Sequence, residues 1–313
     1  MAGSKLDCIL VYTWQAWQHF LISHLVEDDC RVKGRYDDEW PDIAKRLTPN
    51  IRAVLFQVNL SYSKFFPARR AQIIAALKRR NIAVLNTEIQ DISKRNLHRL
   101  LKRAGLRSTM AAETGPADEK VFVKSNLNSG GEIELRMPQE LRPQFLPQQP
   151  CLIKRWDSYY VAERGDIAAP LWSNDSIVIE RYIENAGNGF FRVYGFGDAI
   201  IVVEGKSDHV IKKLTGRRCE KNIYFTRSEM LGGKTSLPPD LHQQIKGFMV
   251  RYPLAYFCLD IVHDGEAHYI VDLNLTPYSD PRRQTAEAAV FLRRGAESFV
   301  KRAARELATR AAA

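Results

Sequence analysis

Asp260, Asp272 and Asn274 stand inside two apolar, strand-like runs, FCLDIVH and HYIVDLN, on either side of the turn-forming pair Asp264-Gly265. A carboxylate in a half-buried strand needs a compensating charge, because burial favours the neutral acid. The register of the hairpin decides what the acids can do together. A two-residue loop would send Asp260 and Asp272 to opposite faces of the sheet. A three-residue loop over 264–266, with Gly265 or its neighbour in a bulge, pairs Asp260 with Ile270 and Cys258 with Asp272. The carboxylates then share a face as diagonal neighbours, roughly 7–8 Å apart at Cα. That register is the expectation. Two carboxylates and an amide oxygen make a hard-oxygen set suited to Mg2+, which binds through one or two carboxylates plus substrate phosphates. Two solvated acids on an edge strand are the plainer alternative.

Further candidates precede this hairpin. VFVKSNLNSGGEIEL reads as a strand carrying Lys124, a turn at Ser129-Gly130-Gly131, and a second strand. An ammonium beside a glycine-rich turn can surround phosphate oxygens with positive charge and backbone N–H groups. An ordinary hairpin with a solvent-facing lysine is the competing reading. In IVIERYIENAGNGFFRVYGFGD an apolar strand enters Glu180, Tyr182, Ile183 and Glu184, a glycine-bearing turn follows, and a new strand carries Arg192. Such a hinge offers backbone groups to a purine edge and a carboxylate to ribose hydroxyls. LGGKTS at Leu231 imitates the end of a phosphate-binding loop, but Ser228 stands where the first glycine belongs.

The elements that must position these residues change texture along the chain. Three apolar runs (CILVYT, AVLFQVN, IAVLN) alternate with helix-like stretches at 14–26 and 67–80, the pattern of a small parallel βαβ unit. DISKRNLHRLLKRAGL then reads as a helix, with Ser93 or Asp91 at its start, Leu97, Leu100, Leu101 and Ala104 on one face, and Gly105 as its stop. From Lys120 the pattern is strand-rich until a helical tail from Arg283, and the proline-interrupted stretch 137–150 is a connection. The 313 residues can bury a substantial core without staples. No run approaches a membrane span, no signal peptide is evident, and the five scattered cysteines suggest neither disulfides nor a zinc site, so a cytoplasmic location is expected. The net charge of +10 is sharpest over 205–221, GKSDHVIKKLTGRRCEK. That stretch lacks the aromatic platforms of a nucleic-acid binder, so a basic flap over phosphates or a solvated loop remains.

The order of these features resembles the ATP-grasp family, of the RimK-like and glutathione-synthetase-like kind, over nearly the whole chain: an αβ unit, a helix with Lys94, Lys124 with its glycine turn, the hinge at Glu180 and Glu184, Arg192, then Asp260, Asp272 and Asn274. The resemblance implies an α/β N-terminal unit over 1–88 and an α+β ATP-grasp domain over 89–313. Its lobes would divide near 180, with ATP between them. By the same resemblance Lys94 and Lys124 contact phosphates, and Lys124 also approaches the base. Tyr182 and Ile183 give backbone contacts, Glu180 meets the adenine side, and Glu184 meets the ribose. Asp260, Asp272 and Asn274 hold Mg2+, for which Mn2+ could substitute.

Two residues depart from the family pattern. The second metal acid is the shorter Asp272 instead of Glu, and Cys258 occupies the place of an arginine that stabilises the tetrahedral intermediate, which shifts that burden to Arg192. The implied activity is an ATP-dependent ligation of a carboxylate to an amine through an acyl-phosphate, with a small molecule or peptide as substrate. Arg282 and Arg283 either bind an anionic substrate group or are surface charges at a helix start. An ATP-grasp phosphotransferase and a regulatory module that binds nucleotide or nucleic acid without turnover are the alternatives. A nucleic-acid partner ranks low, no membrane association is expected, and homo-oligomerisation is left open.

Overall fold

The computed structural model describes residues 5–14, 20–209, 218–278 and 285–312. Its first sheet contains β1 (Ile9–Thr13), β2 (Arg31–Lys33), β3 (Ala53–Gln57) and β4 (Ala83–Leu85), all parallel, in the order β2-β1-β3-β4. Every residue of β1 and β3 is buried, as a parallel sheet covered on both faces requires. The helices α1 (Trp40–Ala44) and α2 (Arg70–Arg79) belong to this part of the chain. Within the expected helix at 14–26, the described residues form only a 3-10 turn at Leu21–His24. The chain is drawn instead toward the far end of the sequence, where the Leu21 N–H donates to Pro277 O at 2.9 Å and Phe20 bridges Tyr278. The strand β2 escaped the sequence pattern because three residues are too few to show a period.

The helix α3 (Lys94–Arg103) follows as expected, with Leu97, Leu100 and Leu101 buried and Gly105, at φ +68°, ending it. A three-stranded antiparallel sheet comes next, β5 (Lys120–Ser125), β6 (Tyr160–Glu163) and β7 (Ile177–Arg181), in the order β6-β5-β7. The second strand expected after the glycine turn is a short helix, α4 (Glu132–Leu135). Ser129, Gly130 and Gly131 adopt φ of 49°, 76° and 75°, and this left-handed run reverses the chain too tightly for a hairpin. A further short helix, α5 (Ala169–Ser173), precedes β7.

The third sheet has five antiparallel strands, β8 (Gly189–Phe196), β9 (Ala199–Lys206), β10 (Arg218–Thr226), β11 (Tyr256–His263) and β12 (His268–Asn274). Their order is β10-β9-β8-β11-β12, so β12 is an edge. Between β10 and β11 lie α6 (Arg227–Gly232) and α7 (Pro239–Arg251), and α8 (Ala286–Ala312) closes the described chain. LGGKTS is a helix end: a capping box of Thr226 and Glu229 opens α6, and Gly233 at φ +79° terminates it. Of the basic stretch 205–221, residues 210–217 lie outside the described residues.

Two apolar clusters hold the large sheet in place. Val193, Val202, Leu259 and Leu273 pack with Leu97 and Leu101 of α3 and with Leu241, Ile245 and Phe248 of α7. Phe196 and Tyr256 join the parallel sheet and Leu292 and Ala296 of α8. Among the described residues no helix is long and apolar enough to cross a membrane.

Asn86, just after β4, latches the two regions. Its Oδ1 accepts from the N–H groups of Ala255 and Tyr256 at 2.9 and 3.0 Å, and its Nδ2 donates to Tyr256 O. Replacing Asn86 with Ala leaves these buried backbone groups unpaired and keeps a non-glycine residue at φ +56°. The expected loss is about 2–4 kcal/mol of stability, read from urea unfolding midpoints at constant slope.

Candidate functional site

The metal-type residues lie on the β11–β12 hairpin in a register that differs from the expected one. The loop has four residues, 264–267, because Asp264 Oδ1 accepts from the N–H groups of Glu266 and Ala267 at 3.0 and 2.8 Å and folds the chain into an Asx turn. His263 therefore pairs with His268, and a bulge beyond Ile261 brings Asp260 directly opposite Asp272 and Cys258 opposite Asn274. The expected pairings of Asp260 with Ile270 and Cys258 with Asp272 are thus replaced. The shared face survives, with the two acids nearer than the diagonal arrangement allowed.

Arg192 of β8 pairs in register with Asp260 on the other side, so Arg192, Asp260 and Asp272 form one row across three strands. The Arg192 guanidinium grips Asp260 at two points, Nε to Oδ1 at 2.6 Å and Nη2 to Oδ2 at 3.1 Å. Burial disfavours the Arg192 charge, but Asp260 outweighs that effect and raises the pKa well above its ordinary value. Lys94, at the first position of α3, reaches over the sheet edge to ion-pair with Asp272, and both side chains are buried.

One turn further along α3, His98 Nε2 lies 2.8 Å from Glu180 Oε1. Lys124 Nζ meets that same oxygen at 2.8 Å and also donates to Val271 O at 3.2 Å. Val271 is the extra residue of the bulge, and the bulge therefore presents a carbonyl at the open edge of β12 to the lysine. Burial raises the Glu180 pKa, yet Lys124 and His98 overcome it and lower the value to about 2. Glu180 is thus an interior anion that fixes Lys124.

The glycine turn is locked from two sides. A Cβ on Gly130 would lie 2.7 Å from the backbone of Arg155, and one on Gly131 would meet Leu127 at 2.6 Å. Ser129 is exposed. Asn128 N–H donates to Ser61 Oγ at 2.8 Å, and Asn59 Oδ1 accepts from both Asn128 Nδ2 at 3.3 Å and Thr276 Oγ1 at 3.0 Å. The segment 59–61 after β3 therefore touches the glycine turn and the end of β12 together. Glu134 of α4 accepts the Ser61 N–H at 2.7 Å and is wholly buried, which raises its pKa.

In the hinge, Tyr182 N–H donates to Lys120 O at 3.0 Å, Ile183 O accepts from Asn185 Nδ2 at 3.3 Å, and Glu184 is exposed. Asn274 Oδ1 accepts from the Thr276 N–H at 2.7 Å, and it shares the single Thr276 hydroxyl hydrogen with Asn59 Oδ1, each oxygen lying 3.0 Å from Oγ1. Arg282 and Arg283 lie outside the described residues. Lys94, Lys124, Glu180, Arg192, Asp260 and Asp272 come together around the edge of β12, while Glu184 and Ser129 are at the surface. Sequence reasoning missed His98, Asn59 and Ser61. The spacing of four between Lys94 and His98, which sets them on one face of a helix, was the available signal.

The chain aligns over 96% of its length with 99% of D-alanine–D-alanine ligase from Bacillus anthracis, at 12% identity and a TM-score of 0.50. Against that ligase complexed with ATP the coverage and identity are the same and the TM-score is 0.52. This is the ATP-grasp fold. The ATP-grasp ligase PsnB complexed with minimal precursor is also similar, at 12% identity over 94% of this chain and 99% of that one, with a TM-score of 0.49. No family model and no curated protein matches the chain. The ATP-grasp fold was legible in the order of the motifs, although few of the aligned residues are identical.

Within the ATP-grasp fold, the Glu180 charge contributes stability that is fully present above the unfolded-chain value near 4.5 and fades as pH falls toward about 2. Glu180→Gln should cost about 3 kcal/mol at pH 7, and roughly half of that gap should disappear by pH 3. Urea unfolding of both proteins between pH 7 and pH 3 measures this, and a gap that stays constant contradicts the assignment.

Proposed function

We propose that the protein is an ATP-dependent ligase that joins a carboxylate to an amine and releases ADP and phosphate. The observation that carries this reading is the row of Arg192, Asp260 and Asp272 with Lys94 and Lys124 at its edge, in a fold shared with a ligase whose name describes the joining of two amino acids. That ligase is also known in complex with ATP.

The donor set fits Mg2+. Two carboxylates face each other on adjacent strands, and Asn274 follows on the same face, with its Oδ1 already committed to two hydrogen bonds within 274–276. Asp260 and Asp272 would therefore be the principal ligands, and the ion they would hold would supply neutralising charge to the phosphates. Lys94 and Lys124 bind phosphate oxygens. Glu180, held by His98, keeps Lys124 in place and acts through it instead of meeting the adenine directly. The backbone of Ser129, Gly130 and Gly131 covers the phosphates, Tyr182 and Ile183 line the purine edge, and Glu184 accepts a ribose hydroxyl. We take residues 1–88 as the unit that shapes the substrate pocket and 89–313 as the nucleotide-binding part, with lobes dividing near 180.

A carboxylate does not expel hydroxide at neutral pH. Its oxygen therefore attacks the γ-phosphorus, ADP leaves, and the resulting acyl-phosphate is attacked by the amine, which loses a proton as phosphate departs. Arg192 donates to the oxyanion that forms on the acyl carbon. We place the reaction in the cytoplasm, where ATP is supplied and where thiols such as Cys8, Cys30 and Cys151 stay reduced.

ATP consumption with Mg2+ against pooled amino acids and short peptides, with product masses followed, tests this. ADP, phosphate and a condensed product are expected, and Asp260→Ala and Asp272→Ala should each lower the rate at least about a hundredfold without unfolding the protein. A phosphorylated product with no new amide would point to a phosphotransferase. Unchanged rates in both variants would remove the metal assignment.

A further inference from the structure

We infer that Arg293, on α8, is the receptor for a small monocarboxylate, at a position that the nucleotide reading does not use. Arg293 is only 8% exposed, yet it has no hydrogen bond, ion pair or ring contact to a partner among the described residues. A guanidinium keeps its charge at any ordinary pH, so its five N–H donors cannot be silenced by loss of a proton. Leaving such a group buried and unmatched is costly, and folded chains pair it.

The other arginines in the buried class show what this chain does when the role is structural. Arg70 donates to Ser63 O at 2.8 Å and lies over the Phe56 ring at 4.6 Å. Arg164 donates to Ala112 O and ion-pairs with Glu119. Arg293 departs from that pattern. Its neighbours one turn away on α8 are Ala289, Val290, Ala296 and Glu297, and the one carboxylate among them contacts Lys301 instead, at 3.9 Å. Leu292 and Ala296 are buried and belong to the apolar cluster that α8 shares with the parallel sheet. The guanidinium thus stands at the margin of an apolar region without an anion of its own.

Charge balance sets the ligand class. One unpaired guanidinium neutralises one negative charge, and its planar fork matches the two oxygens of a carboxylate. A phosphate dianion would bring surplus charge into apolar surroundings. A monocarboxylate with a short aliphatic body suits both the cation and the apolar side chains of α8. The same cluster joins Leu55 and Leu85 of the parallel sheet to Phe196 and Tyr256 of the five-stranded one, so a ligand held here braces the two sheets and favours the folded chain.

The stability signature is distinctive. An arginine kept for structure weakens the fold when removed, whereas one kept for a ligand leaves the empty fold unharmed or more stable. Melting temperature of the full chain in sodium acetate or sodium propionate, against sodium chloride and sodium phosphate at equal ionic strength, reads the site. The wild-type midpoint should rise saturably in either carboxylate, by at least about 2 °C over chloride. Arg293→Met, which keeps an aliphatic stem, should melt no lower than wild type in chloride and should lose the carboxylate response. Arg293→Lys, which keeps the charge without the fork, should retain only part of it. The Nε–H resonance of Arg293, identified by its absence in either variant, should shift with acetate in wild-type protein, a readout independent of any variant's stability. A midpoint and a resonance that ignore both carboxylates overturn the inference, as does an Arg293→Met chain that responds like wild type or melts well below it in chloride. An equal response to phosphate overturns the carboxylate assignment. None of these readouts involves nucleotide, so failure of the ligase reading leaves the inference standing.

Discussion

The arrangement depends on compensating buried negative charge along one sheet edge. Asp272 and Glu180 sit in the interior, where an isolated carboxylate would take up a proton or drive the surrounding elements apart. One helix answers both. Lys94 and His98, four apart on α3, meet Asp272 on the five-stranded sheet and Glu180 on the three-stranded one. The leucines of the same helix bury against the large sheet, so apolar packing and charge pairing fix its position together. A shift of α3 by one residue would break both, and this is why a short amphipathic helix can hold two sheets in mutual register.

The N-terminal region is tied into the same structure by hydrogen bonds at two places. Asn86 satisfies three backbone groups at the start of β11, and Asn59 and Ser61 reach the glycine turn and the Thr276 hydroxyl. The contacts at 59–61 leave the C-terminal end of β3, the end of a parallel sheet at which ligands characteristically bind. The same end of the sheet therefore lies next to segments that contact both the glycine turn and the chain just beyond β12.

Much of the fold was readable because the parallel strands are continuous apolar runs and α3 has a clear start, stripe and stop. What failed did so for local reasons. The sequence around 129–131 looks like a hairpin turn, yet three consecutive left-handed residues lead into a helix, and the close approach of the Arg155 backbone leaves no room for a side chain at Gly130. The hairpin register escaped prediction because Asp264 builds an Asx turn and Val271 forms a bulge, and neither changes the residue pattern on which the alternation argument relies. The acids were identified correctly as needing partners. Their resident partners, Lys94 from 178 positions away and Arg192 from 68, are long-range contacts that no spacing rule encodes.

The bulge at Val271 has another effect. An unprotected strand at the margin of a sheet offers a ladder of open N–H and C=O groups on which a second molecule can assemble. β12 is such a margin, but its irregular backbone interrupts the ladder, Lys124 occupies the displaced carbonyl, and Lys94 crosses above it. The two lysines that compensate the buried acids Glu180 and Asp272 therefore also block strand addition at this margin.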